Sequence, residues 1–253
     1  MLFRRQVEEH SGSDDGHYYI SISDLMTSLL FIFILILSYV MLSFVKKEDE
    51  LSNEIKKIEQ NIEYRGELLQ DLQKELLGKK ISVDIDKENG NMRLKSDLLF
   101  KSGSATISDE GKRQIGEIAQ LFMTKMVEVK YKMAIDTIFI EGHTDSVPIR
   151  VSNKCRKQWS NKELSAQRAI NTYSQMLVVT NNKINSLKNK KDKHLLSYSG
   201  YADNRQLCNE QKMIDNNATK KELKDCRSKN RRIEFYFTVN TPEIKKIKEH
   251  LGE

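Results

Sequence analysis

Hydrophobic positions fall into three regimes along the chain. From Leu25 to Val45 they run for 21 residues without a charge, and a helix needs roughly 20 apolar residues to cross a bilayer core. After Val45 they thin to a stripe. Leu51, Ile55, Ile58, Ile62, Leu69, Leu72 and Leu76 recur at intervals of four and three, broken only at Arg65 and flanked by Lys and Glu. Such a heptad stripe predicts a helix that pairs with a second copy of itself. The same register extends backward through Phe44, Met41, Leu37 and Ile34. An amphipathic helix packed on its own domain is the alternative. The coil is favoured because the stripe continues from the apolar run without Pro or Gly.

Past Gly78 the period shortens. "ISVDIDKENGNMRLKS" alternates apolar and polar residues around Asn-Gly, a hairpin signal. "LLFKSGSATISDEGKRQIGEIAQLFMTKM" predicts a loop and then a helix, with Ser108 as N-cap and Ile115, Ile118, Leu121 and Phe122 on its buried face. "AIDTIFIEGHTD" reads as a strand buried on both faces. "NKELSAQRAINTYSQML" is a second helix, "HLLSYSGYAD" a further strand and "NRRIEFYFTVN" a final strand that alternates cleanly. Strands alternating with helices predict an α/β domain with two helices covering one face of a small sheet. The expected boundaries are a tail over 1–18, a membrane helix over 19–45, a coiled-coil linker over 46–80 and a domain over 81–253. The tail "PEIKKIKEHLGE" reads as a short peripheral helix.

Composition narrows the function classes. The net charge is +6 and 31% of residues are charged, which suits an anionic neighbour. No aromatic-rich basic motif points to nucleic acid. The end of the apolar run, "SYVMLSFVKK", lacks a small-residue cleavage site, so the run reads as an uncleaved single span. Lys46, Lys47, Lys56 and Lys57 follow it while only Arg4 and Arg5 precede it. Taken alone, that bias would put the C-terminal side in the cytoplasm. The histidines show no paired ligand spacing and the cysteines no zinc pattern, so neither metal nor cofactor is expected. His143 lies near Asp145, but no motif places a nucleophile or second base, and an enzyme is not expected.

Four motifs then occur in order: "GHTD" (Gly142 to Asp145), "SNKELSAQRA" (Ser160 to Ala169), "SGYAD" and "NRRIEF". Together they resemble the OmpA-like peptidoglycan-binding domain over about residues 81–240, in the form found in the MotB-like ion-driven stator subunits. The resemblance implies the OmpA-like sandwich, in the order β-α-β-α-β-β, preceded by the membrane helix and coil. It also implies a groove for the diamino acid of the wall's stem peptide. There Arg168 would grip a carboxylate and Asp145 the amine, with Thr144, Ser160, Asn161 and Leu164 as neighbours. A wall-binding domain faces the periplasm, and this outweighs the charge bias. The expected orientation is therefore N-terminus in the cytoplasm, C-terminal domain in the periplasm, in a bacterial inner membrane. The long basic insert from Ser146 to Trp159, containing Cys155, departs from the family pattern. Cys208 and Cys226 flank a polar excursion and are the expected disulfide, worth roughly 3 kcal/mol on the chain-entropy model. Cys155 is left unpaired or intermolecular.

Within the apolar run, Asp24 stands out. A capping role at the helix N-terminus and a functional role inside the membrane are both open from pattern alone. The stretch "ISDLMTSLL" resembles the stator motif, in which this aspartate carries the ion, with Thr27 and Ser28 able to hydrogen-bond it or a passing ion. A single span has no second channel wall, so the resemblance implies a homodimer within a multi-span MotA- or ZorA-like partner forming a pentameric ring. The direct run from membrane helix into heptad coil, in a short chain, resembles the ZorB-type subunits of Zorya anti-phage defence systems. A flagellar or gliding stator and a passive peptidoglycan tether remain the alternatives.

Overall fold

The computed structural model describes residues 14–101, 103–149 and 160–241. The start of the tail, Cys155 with most of the basic insert, and the expected C-terminal helix lie outside the described residues. The chain divides into two compact units, Met1–Ile55 with Pro242–Glu253, and Lys56–Thr241.

Helix α1 (Asp14–Gly78) contributes to both units. It begins at Asp14, inside the stretch expected to be an irregular tail. In the first unit the side chains from Ser23 to Asp49 are exposed, the whole apolar run among them. Among the described residues, α1 is the one helix long and apolar enough to cross a membrane.

In the second unit the linker expected over 46–80 does not hold as drawn. Leu68, Leu69, Leu72 and Leu76 are fully buried in the domain's own core, so the later half of the heptad faces this domain rather than a second helix. Arg65, the break in the stripe, explains the shift. The residue is 7% exposed, and its guanidinium donates to the carbonyls of Glu88 (2.7 Å), Lys87 and Phe237 (both 3.4 Å). It ties α1 to the hairpin turn and the last strand. Tyr131 Oη adds a bond to Asp71, and Lys125 an ion pair to Glu75 at 2.9 Å. Leu51, Ile55 and Ile62 stay exposed.

The sheet has five strands in the order β1-β2-β5-β3-β4. β1 (Asp84–Asp86) and β2 (Asn91–Lys95) form the hairpin expected around Asn89-Gly90. β3 (Ile135–His143) and β4 (Leu196–Ala202) are parallel, and β5 (Arg232–Val239) runs antiparallel between β2 and β3. A short α2 (Ser96–Leu99) leads to α3 (Asp109–Lys125). Ser108 caps α3 by accepting from Gly111 N at 2.9 Å, and Ile115, Ile118, Leu121 and Phe122 are buried beneath it. Phe122 meets Phe235 and Phe237 edge-on, at 5.5 and 5.7 Å between centroids. α4 (Val129–Ala134) feeds β3, and α5 (Asn161–Val179) follows the insert. The polar excursion before β5 is not featureless: it folds into α6 (Glu210–Asp215) and α7 (Lys220–Asn230). A disulfide joins Cys208 to Cys226 across it, with 5.4 Å between Cα atoms.

Candidate ligand-binding groove

α5 lies unusually close to the sheet, and two glycines allow it. Gly142 and Gly200 are paired neighbours on β3 and β4. A Cβ at Gly142 would meet the Ser165 carbonyl oxygen at 2.0 Å, and one at Gly200 would meet the Ala166 nitrogen at 2.3 Å. These are the glycines of "GHTD" and "SGYAD", so the motifs record a backbone contact. Ser165 reinforces it by accepting from Ala202 N at 3.0 Å. Ser160 fixes the start of α5 through a capping box with Glu163. That helix carries Arg168 to a groove of about 810 Å³ beyond the ends of β3 and β5.

Arg168 is 3% exposed. Its Nε donates to the Ser104 carbonyl at 3.0 Å, and its guanidinium carbon lies 5.2 Å from the Phe100 ring centre. Among the described residues no carboxylate is within ion-pair distance of it. Burial pulls its pKa down to about 10, against a partial opposing pull from Asp97 and Asp145. A buried, desolvated cation without a counter-ion is costly, and an anionic ligand in the groove would relieve that cost.

Asp145 is held differently. Its Oδ2 accepts from Arg231 Nη1 at 2.7 Å and its Oδ1 from Val147 N at 3.2 Å. Arg231 also grips Asp97 through two bonds, at 3.1 and 2.7 Å. Those bonds hold the Asp97 carboxyl below the usual range and push Arg231 upward. A carboxylate has about four lone-pair sites, so Asp145 retains capacity for an incoming N–H donor. Thr144 lines the groove, and its Oγ1 is buried without a hydrogen-bond partner among the described residues.

The structure therefore brings Thr144, Asp145, Asn161, Leu164 and Arg168 together around one groove. Asn161 spends its amide on the carbonyls of Asp145 (3.1 Å) and Val147 (3.2 Å), which makes it a brace for the loop. Ser160 is not part of the lining; it is the exposed cap of α5. Sequence reasoning missed Asp97, Phe100 and Arg231 as lining residues. Arg231 was visible within "NRRIEF", where it caps α7 immediately before β5. Arg232, the first residue of β5, is outside the lining and pairs with Glu234 at 2.7 Å. His143 lies outside the groove lining. It is fully buried 3.6 Å from Glu141 and 3.5 Å from Glu234, and burial lowers its pKa.

In the first unit, Asp24 sits well inside α1, ten positions past its start at Asp14. Asp24 is therefore not the N-terminal cap of α1. Thr27 Oγ1 and Ser28 Oγ do not reach the carboxylate. They donate to the backbone carbonyls of Ser23 (2.7 Å) and Asp24 (2.9 Å).

No protein-family model matches the chain, and no curated protein does. Solved structures do. A MotB-like protein from Desulfovibrio vulgaris aligns with a TM-score of 0.51 at 19% identity, over 74% of this chain and 98% of that one. The domain shares its fold. Lower-scoring alignments include the cell wall anchor of the T6SS from Pseudomonas aeruginosa (TM-score 0.45, 19% identity, 68% of this chain and 97% of that chain). The periplasmic domain of Helicobacter pylori MotB aligns with a TM-score of 0.44 at 25% identity, over 64% and 83% of the two chains.

Proposed function

We propose that this chain is a wall-anchored stator subunit of an ion-driven inner-membrane complex. Its groove binds the diamino acid of a peptidoglycan stem peptide in the periplasm. The observation that carries the anchoring half is Arg168, a buried guanidinium with no counter-ion among the described residues, in the same groove as an aspartate that retains acceptor capacity. That pairing suits a zwitterion: Arg168 takes the carboxylate and Asp145 the amine. The fold shared with a MotB-like protein supports the same reading.

The motor half rests on Asp24. A carboxylate within a membrane-crossing stretch is expensive to keep unless it works, and α1 offers it no cap to serve. Each charge moved down the membrane potential releases about 2.3 kcal/mol per 100 mV. Two copies of this chain inside a ring of a multi-span partner would present two such carboxylates, and the ion is the proton. Exposed Leu51, Ile55 and Ile62 remain as the pairing stripe of that dimer. The machine acts in anti-phage defence, as the resemblance to Zorya subunits implies. A flagellar or gliding stator shares the same fold support.

The test is phage plating efficiency on cells carrying this gene with its native neighbours, comparing wild type with Asp24→Asn. Protection by wild type alone supports a defence motor driven through Asp24. Equal protection by both removes the ion-carrying role and leaves a tether. No protection by either removes the defence role, and a swimming assay then tests the motility alternative.

A further inference from the structure

The groove has a second wall that the diamino-acid reading does not use. It is lined by the α7 residues Lys220, Leu223, Lys224 and Arg227. Two devices hold α7 there. One is the Cys208–Cys226 disulfide. The other is Glu210, 1% exposed, which accepts from Ser146 N (3.2 Å), Ser146 Oγ (2.7 Å), Asn230 Nδ2 (2.8 Å) and Arg227 Nε (3.0 Å). Asn230 in turn accepts from Leu207 N and Cys208 N at 3.0 and 3.1 Å. Ser146 directly follows Asp145, so Glu210 fastens the excursion to the very loop that presents the ligand-facing carboxylate.

The charges on this lining do not balance. Arg231 is matched by Asp97 and Asp145, and Arg227 by Glu210. Among the described residues Arg168, Lys220 and Lys224 have no ion-pair partner, and no acidic lining residue is left over. A zwitterionic diamino acid engages Arg168 and Asp145 and leaves both lysines unmatched.

Building on the stem-peptide reading, we infer that Lys220 and Lys224 form a second anionic subsite. They select a wall peptide with a further free carboxylate on the residue adjoining its diamino acid. The subsite distinguishes a peptide with that carboxyl free from one with it amidated. Two exposed lysines supply a preference of roughly fivefold to tenfold, from typical exposed ion pairs. High salt screens it, while the buried Arg168 contact survives better.

The experiment is isothermal titration of the full chain in detergent with two synthetic tripeptides. One is L-alanyl-γ-D-glutamyl-meso-diaminopimelate with the carboxyl at its peptide C-terminus amidated, so that one carboxylate and one amine remain on the diamino acid; the other is the same peptide with the glutamyl α-carboxyl amidated as well. Wild type is expected to prefer the free acid. Lys220→Ala with Lys224→Ala is expected to bring the ratio of free-acid to amidated affinity to about one, the free acid losing more affinity than the amidated peptide. Equal binding of both peptides by wild type, lost in Arg168→Ala, overturns the second subsite and leaves the groove reading intact. A preference that persists in the double lysine variant overturns the assignment to α7. Binding of neither peptide by wild type overturns the subsite and the stem-peptide reading together.

Discussion

Replacing Leu72 by alanine separates two accounts of the part of α1 that follows the apolar run. If the whole heptad stripe were a dimer seam, truncating Leu72 would weaken association and leave the domain's own stability unchanged. The structure buries Leu72 completely in the domain core, beside Leu68, Leu69 and Leu76. Removing buried leucine methyls costs about 2–5 kcal/mol, the transfer term plus the cavity left behind. At about 3 kcal/mol, and about 2–4 °C per kcal/mol for a domain of this size, the melting temperature falls by roughly 6–12 °C. The assay is thermal unfolding of residues 56–241 at several protein concentrations. The shift is expected to be independent of concentration. Ile62→Ala, on an exposed position, is expected to change the same melting temperature by less than about 2 °C. A Leu72→Ala loss that vanishes on dilution, or no loss at all, refutes the core placement.

Three further outcomes follow from the groove. Gly200→Ala drives a Cβ into the Ala166 backbone; urea titration is expected to show a loss of about 1–3 kcal/mol, and calorimetry a parallel loss of stem-peptide affinity. Arg231→Ala releases Asp97, whose folded pKa is depressed by that arginine. A depressed carboxyl stabilises fully above its unfolded pKa, about 3.9, and that stability is lost as pH falls through the folded value. Urea titrations across pH are therefore expected to show the Arg231→Ala penalty shrinking below about pH 4. Reducing the Cys208–Cys226 disulfide, which spans 18 positions, is expected to lower unfolding stability by about 3 kcal/mol, read by denaturation with and without reductant.

Much of the domain was legible because its signals are local. The clean alternation of "RIEFYF", the Ser108 cap and the period of α3 each name an element without reference to anything distant. The groove's core pair was legible through motif order, since Gly142 and Gly200 exist to admit α5 and so fix where Arg168 points. What escaped depends on partners remote in sequence. Arg231 reaches Asp97 across 134 positions, and nothing in "SDLLF" announces it. The heptad misled for a related reason. A stripe of Leu at core spacing looks the same whether it meets a second helix or its own sheet. Arg65 was the clue: a break that proved to be a buried contact with the turn at Glu88. Ser160 was placed in the site by its motif, yet its hydroxyl serves the helix cap. Likewise the hydroxyls of Thr27 and Ser28 serve backbone carbonyls one turn back.

The most direct test of the central claim is co-sedimentation of the full chain, in detergent, with purified cell-wall sacculi. Wild type is expected in the pellet, with Arg168→Ala depleted at least tenfold and Ile62→Ala unchanged. Wild type remaining in the supernatant, or Arg168→Ala sedimenting equally well, contradicts a groove built around that buried arginine.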